Sequence, residues 1–229
     1  LAQSKVPMNE LTQKTFNELF SPESTLTWGI FEYSAPQTLR KLEEIEEKLD
    51  HRFKVLLRYQ TIDEQLPLAQ LERAWENDRI VELTLATIHN TQANALWTGG
   101  VPPNSRVAYD ILDGNYDDYF IKYAQDLKSF GKPIIFRLNN EMNGDWCWYS
   151  AFYTARDAEI YIKLWHYIKA IFDNQGVDNL IWVWNPHDIS LPNFSWNNFM
   201  AYYPGDEYVD VIGLTGYNNG TYFSGEKWR

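Results

Sequence analysis

The sequence has a single cysteine, Cys147, so no internal disulfide can form. No group of Cys and His has the spacing of a zinc site. The acidic stretch at 110–118 does not follow the ligand order of an EF-hand loop and is read as helix N-capping. No metal or other cofactor is expected. Basic residues are also scarce: 20 Lys and Arg stand against 31 Asp and Glu, a formal net charge of −11. Nucleic acid and anionic membrane surfaces need clustered cations, so neither is expected as a partner. No apolar run approaches the roughly 18 residues of a spanning helix, which excludes insertion as a helix. No glycine-rich phosphate loop follows the first apolar run, removing the main signature of a nucleotide-binding doubly wound sheet. The chain begins Leu-Ala-Gln-Ser without Met and is read as processed, any signal peptide having been removed.

What is abundant is aromatic: 16% of the residues, ten of them Trp, within a 45% hydrophobic composition. That is enough for one substantial core, so residues 1–229 are read as one domain, with 1–25 as an N-terminal extension. Six short β-branched or aromatic runs, at 26–33, 53–59, 80–88, 133–138, 180–184 and 209–214, read as strands. Helical patterns lie between several of them, at 38–49, 68–77, 116–130 and 155–174. Strand and helix alternate, and runs such as Leu180-Ile-Trp-Val-Trp184 are apolar at every position, so the sheet is expected to be parallel and buried on both faces. A (β/α)8 barrel fits best. Closure needs eight strands and six are visible, so the barrel is expected to be truncated after the sixth strand.

Active sites of such barrels lie at the C-terminal ends of the strands. There this chain places His89 and Asn90, Glu141, Asn185 and His187, and Tyr217 and Asn218. The densest such segment is Arg137-Leu-Asn-Asn-Glu-Met-Asn-Gly-Asp-Trp146, which follows the buried run Pro133-Ile-Ile-Phe136. It sets the Glu141 carboxyl among amides and flat apolar faces, a mixture suited to sugar rings. A glycosidic oxygen leaves poorly until protonated, and a positioned acid contributes about 10² to 10⁴ in rate. Glu141 is thus the candidate general acid/base. Its plain alternative is a solvated carboxylate capping the next segment. Cys147 has no base beside it in sequence and is read as a packed thiol.

With Asn179-Leu-Ile-Trp-Val-Trp-Asn-Pro186 and Tyr202-Tyr-Pro-Gly-Asp-Glu-Tyr-Val-Asp-Val-Ile-Gly-Leu-Thr-Gly-Tyr-Asn218, the decapeptide closely resembles glycoside hydrolase family 26. That is a family of secreted β-mannanases and mixed-linkage β-glucanases. The resemblance runs from about residue 28 to the end and is thin before 110. It implies a retaining mechanism, with two carboxyls about 5 to 5.5 Å apart. It carries over Glu141 as acid/base, Arg137 as an orienting cation, Trp146 as a sugar platform and Tyr217 as hydroxyl partner of the nucleophile. The nucleophile Glu belongs to a seventh strand and is expected beyond Arg229.

Each assignment has a structural alternative. Arg137 pairs with a core carboxylate, Trp146 closes the barrel top, and Tyr217 packs. His89 is read as substrate-binding or as a loop histidine, Trp184 as a platform or as core, and His187 as a surface residue. Asn140 stands where mannanases of the family carry His, with an amide suited to the sugar 2-hydroxyl. Thr215 stands where the family tends to carry Asp. Both departures leave the glycan open. The resemblance therefore implies a secreted, endo-acting hydrolase of β-1,4-mannan, mixed-linkage β-glucan or a related polysaccharide or oligosaccharide. Carbohydrate-binding modules outside this chain would be compatible with it. The alternatives are a non-catalytic carbohydrate-binding protein and a scaffold domain, the latter requiring Trp146, Trp148 and Trp184 all to be fully buried.

Overall fold

The computed structural model describes residues 6–89 and 106–218. Six strands form one sheet in the order β1 to β6: Gly29–Ile30, Val55–Thr61, Ile80–Ala86, Ile134–Leu138, Leu180–Trp184 and Val211–Ile212. Every neighbouring pair is parallel. The helices are α1 (Glu10–Phe20), α2 (Arg40–Leu49), α3 (Leu68–Glu76), α4 (Val107–Leu112), α5 (Asp117–Phe130) and α6 (Glu159–Asn174). Among the described residues β6 does not pair with β1, so the sheet curves through six strands of a (β/α)8 barrel and stays open. The outermost runs, 26–33 and 209–214, yield only two paired residues each, and among the described residues each has a strand neighbour on one side only.

Period-two alternation sorts the strand side chains into two layers. In β5, Leu180, Trp182 and Trp184 join the core between sheet and helices, while Ile181 and Val183 join Ile80 and Ile135 in a second cluster inside the curve. β4 and β5 are buried at every position, as strands covered on both faces must be. The outer core is supplied chiefly by α6, whose Tyr161, Leu164, Trp165, Ile168 and Phe172 are spaced to form one buried face. α5 carries Asp117 and Asp118 in its first turn and Lys128 in its last, complementing the helix dipole. It stops at Gly131, whose left-handed φ of 63° suits a residue without Cβ.

The stretch read as an extension contains α1, which no strand–helix pattern announces. Its cap Asn9 accepts a hydrogen bond from the Thr12 N–H. The Asn9 side chain donates to the Gly131 carbonyl and to Asp178 Oδ1, and its N–H donates to the Asp178 carbonyl. Those residues are the helix-to-strand turns at the N-terminal ends of β4 and β5. Phe16 and Leu19 pack against the inner cluster, so α1 covers the end of the sheet opposite Glu141.

One buried ion pair ties helix to sheet on this frame. Arg79, before β3, grips Glu46 of α2 with both terminal nitrogens, at 2.5 and 2.7 Å, and donates to the Phe53 carbonyl at 2.7 Å. The Arg79 hydrogen bonds, with a further one from the Phe53 N–H at 2.7 Å, hold the Glu46 carboxyl below its ordinary value, against the burial that would raise it.

Candidate active site

The loop after β4 turns sharply. Asn139 and Glu141 both have left-handed backbones, at φ 50° and 56°, and each is pinned from outside the loop. The Asn139 N–H donates to the Leu85 carbonyl, and its side-chain oxygen accepts from the Thr87 N–H at 2.7 Å. The Glu141 N–H donates to the Asn185 carbonyl at 2.7 Å. Neighbouring strand ends thus fix a conformation that non-glycine residues rarely adopt. The Glu141 side chain is half-buried, and its Oε2 accepts a 2.9 Å hydrogen bond from Trp146 Nε1.

Trp146 is itself half-buried and forms a T-shaped contact with His187, ring centroids 5.1 Å apart at 78°. His187 is drawn in by a parallel bridge to Thr215, by its N–H donating to Asn143 Oδ1, and by Nδ1 lying 3.0 Å from Asp188. Its side chain is 14% exposed, which corrects the surface reading. The Tyr217 ring lies 6.1 Å from that of His187. Partial burial first, and then the Glu141 charge, raise the Tyr217 hydroxyl above its ordinary value, with Arg137 opposing. Tyr217 is exposed and shares the rim with Glu141.

One layer below, buried Arg137 donates Nε to Thr84 Oγ1 at 2.8 Å, Nη1 to Asn185 Oδ1 at 3.0 Å and Nη2 to the Tyr59 hydroxyl at 3.1 Å. It also lies 3.4 Å from Glu82, a half-buried carboxylate on the wall of a cavity and not a core one. Asn185 is the junction sequence reasoning undervalued: its carbonyl holds Glu141, its side-chain oxygen holds Arg137, and its amide donates to Thr215 Oγ1 at 2.9 Å. Period two on β5 would have found it, since Asn185 follows Ile181 and Val183 on the inner face.

The same alternation corrects Trp184. It is 2% exposed and faces the helices with Trp182, packed against Phe199 and Tyr203, so it presents no face to a sugar. His89 lies at the rim after β3, where its Nε2 is 2.8 Å from the Tyr116 hydroxyl. Buried Asn140 makes its hydrogen bonds through its carbonyl, which accepts from the Tyr149 hydroxyl and from the Cys147 thiol. Burial pushes that thiol up to about 12, so Cys147 is a packed group and not a nucleophile. Asn90 lies outside the described residues. Among the described residues no group of acidic, His or Cys side chains could hold a metal ion.

Inside the curve, a cavity of about 950 Å³ opens between β1 and β6, with Glu82, Arg137 and Asn185 on its wall. It meets α1 at one end.

The glycosyl hydrolase family 26 model matches residues 70–229. Over 123 residues the chain is 38% identical to Endoglucanase H of Acetivibrio thermocellus, covering 52% of this chain and 13% of that protein. Over 106 residues it is 36% identical to a mannan endo-1,4-beta-mannosidase of Bacillus subtilis, covering 43% of this chain and 27% of that protein. The chain thus spans less than a third of these relatives' length. Among solved structures, the Bacillus subtilis mannanase BCman superposes with a TM-score of 0.69 at 22% identity, covering 95% of this chain and 72% of that one. A β-mannanase from a symbiotic protist of the termite Reticulitermes speratus, complexed with gluco-manno-oligosaccharide, gives 0.64 at 16% identity, covering 96% and 73%. These likenesses confirm the barrel fold. By the match over residues 70–229, the chain belongs to glycosyl hydrolase family 26.

Proposed function

We propose that the protein is a secreted, endo-acting glycoside hydrolase that cleaves β-linked polysaccharide, β-1,4-mannan or mixed-linkage β-glucan, by a retaining double displacement with Glu141 as acid/base. The observation that carries this reading is the Glu141 carboxyl: half-buried at the C-terminal end of β4, fixed by its backbone, with one oxygen held by Trp146. Half-buried Trp146 also speaks against the scaffold reading, which needs it sealed in the core.

Glu141 protonates the glycosidic oxygen as the bond to the anomeric carbon breaks, and a second carboxylate forms the glycosyl-enzyme. Glu141, now ionised, takes a proton from the water that releases the sugar. The second carboxylate, on this proposal, stands on a strand filling the gap between β6 and β1, with Tyr217 at its side. The Asn140 amide binds the sugar 2-hydroxyl, and Trp146 offers a flat face. Thr215, neutral and hydrogen-bonded to Asn185, supplies no charge to the substrate, so the site does not demand mannan.

Incubation of the full-length protein containing this segment with mannan and with mixed-linkage glucan tests the reading. Viscosity should fall well before reducing ends accumulate, the signature of internal cleavage. Binding to either polymer with no new reducing ends would leave a carbohydrate-binding protein instead.

A further inference from the structure

We propose that Trp146 is a positioning residue that fixes which oxygen of Glu141 carries the transferable proton, an inference that rests on the acid/base reading above. An indole N–H donates and cannot accept. The carbonyl oxygen of a carboxylic acid accepts more strongly than its hydroxyl oxygen, so Trp146 Nε1, donating to Oε2 at 2.9 Å, favours the form with C=O at Oε2. The proton is therefore directed to Oε1, the oxygen left for the glycosidic bond. In the second half of the reaction, the same N–H holds Oε2 while Oε1 receives the proton from water.

The indole is held for this task by two neighbours. Gly144 leaves the space the ring fills: a Cβ there would lie 2.4 Å from Cε2 and Cζ2 of Trp146, a separation no real contact allows. His187, in T-shaped contact with the indole, restricts its rotation, and His187 is anchored by Asn143, Thr215 and Asp188. The Gly144 N–H in turn donates to the Glu141 carbonyl at 2.9 Å, so the turn that presents the acid also seats the indole. A residue that served only as a sugar platform would need none of this alignment with the carboxylate.

Trp146→Phe keeps a flat face and removes the donor. On polysaccharide, whose leaving oxygen needs protonation, it should lower kcat about tenfold with KM within about twofold. On aryl glycosides with activated leaving groups the loss should be much smaller. Combined with Glu141→Gln it should add little to the loss caused by Glu141→Gln alone, because both act on one proton. Gly144→Ala, which keeps the indole but displaces it, should show the same leaving-group contrast, with circular dichroism and Tm confirming that both variants fold. A raised KM with unchanged kcat in Trp146→Phe, or losses that multiply in the double variant, would overturn the proposal and leave Trp146 a platform. If Glu141→Gln itself shows no leaving-group contrast, the acid/base reading fails instead, and the two outcomes are separable.

Discussion

Glu141→Gln should lower kcat on polysaccharide by about 10² or more, and much less on aryl glycosides whose leaving groups depart without a proton. Gln matches Glu in shape and tolerates the φ of 56° no worse, and the backbone bond to Asn185 is untouched, so the folded protein should survive. Its side-chain oxygen can still accept from Trp146, which separates loss of the proton from loss of the loop. Glu141→Ala should be at least as slow on polysaccharide. Steady-state rates on a series of aryl leaving groups check this. Equal losses across the series would make Glu141 a structural group or the nucleophile.

The largest effect on stability is expected away from the site. Arg79→Met keeps much of the side-chain volume but leaves Glu46, with a side chain only 11% exposed, without its partner. Removing one member of a buried pair costs about 3 to 5 kcal/mol, because the other is stranded away from water. For a chain of this size that corresponds to a fall in Tm of roughly 6 to 20 °C. The pH dependence has a definite sign. In the native protein the Glu46 carboxyl is held below its ordinary 4.5, so its contribution is present above that value and lost as pH falls through the lowered one. In Arg79→Met the largest of the interactions holding the charge is gone and only the Phe53 N–H, at 2.7 Å, and the Arg52 charge remain, so the gap between wild type and variant should shrink as pH falls below about 4.5. Adding Glu46→Gln should recover part of the loss at neutral pH. Thermal melts from pH 3 to 7 measure all three, and a gap unchanged by acid would mean the pair is not what ties α2 to β3.

Much of the fold could be read from the alternation of apolar runs and helical patterns, since burial on both faces leaves strands such as 180–184 apolar at every position. Other features have no local signal. α1 is mildly amphipathic and is placed by Asn9 reaching turns more than 100 residues away, which no periodicity reports. The three short 3-10 turns between β5 and β6, at Ser195–Asn197, Phe199–Tyr202 and Asp206–Tyr208, follow polar and proline-rich sequence whose path is set by tertiary contacts such as Tyr202 with Ala151. Within the site, Glu141 and Trp146 were visible as residues, but their hydrogen bond depends on a left-handed turn and on Gly144 making room for the ring. Trp184 illustrates the opposite error: a strand aromatic beside a rim motif invites a functional reading, yet counting by twos from Leu180 sends it to the helices and sends Asn185 inward.

The central claim is a double displacement in which Glu141 serves as acid/base, and the stereochemistry of the first product tests it most directly. Proton NMR recorded within the first minutes of hydrolysis of a β-linked oligosaccharide, before mutarotation, should show the β-anomer at the new reducing end. The α-anomer appearing first would mean a single inverting displacement, and would contradict both the glycosyl-enzyme intermediate and the dual role given to Glu141.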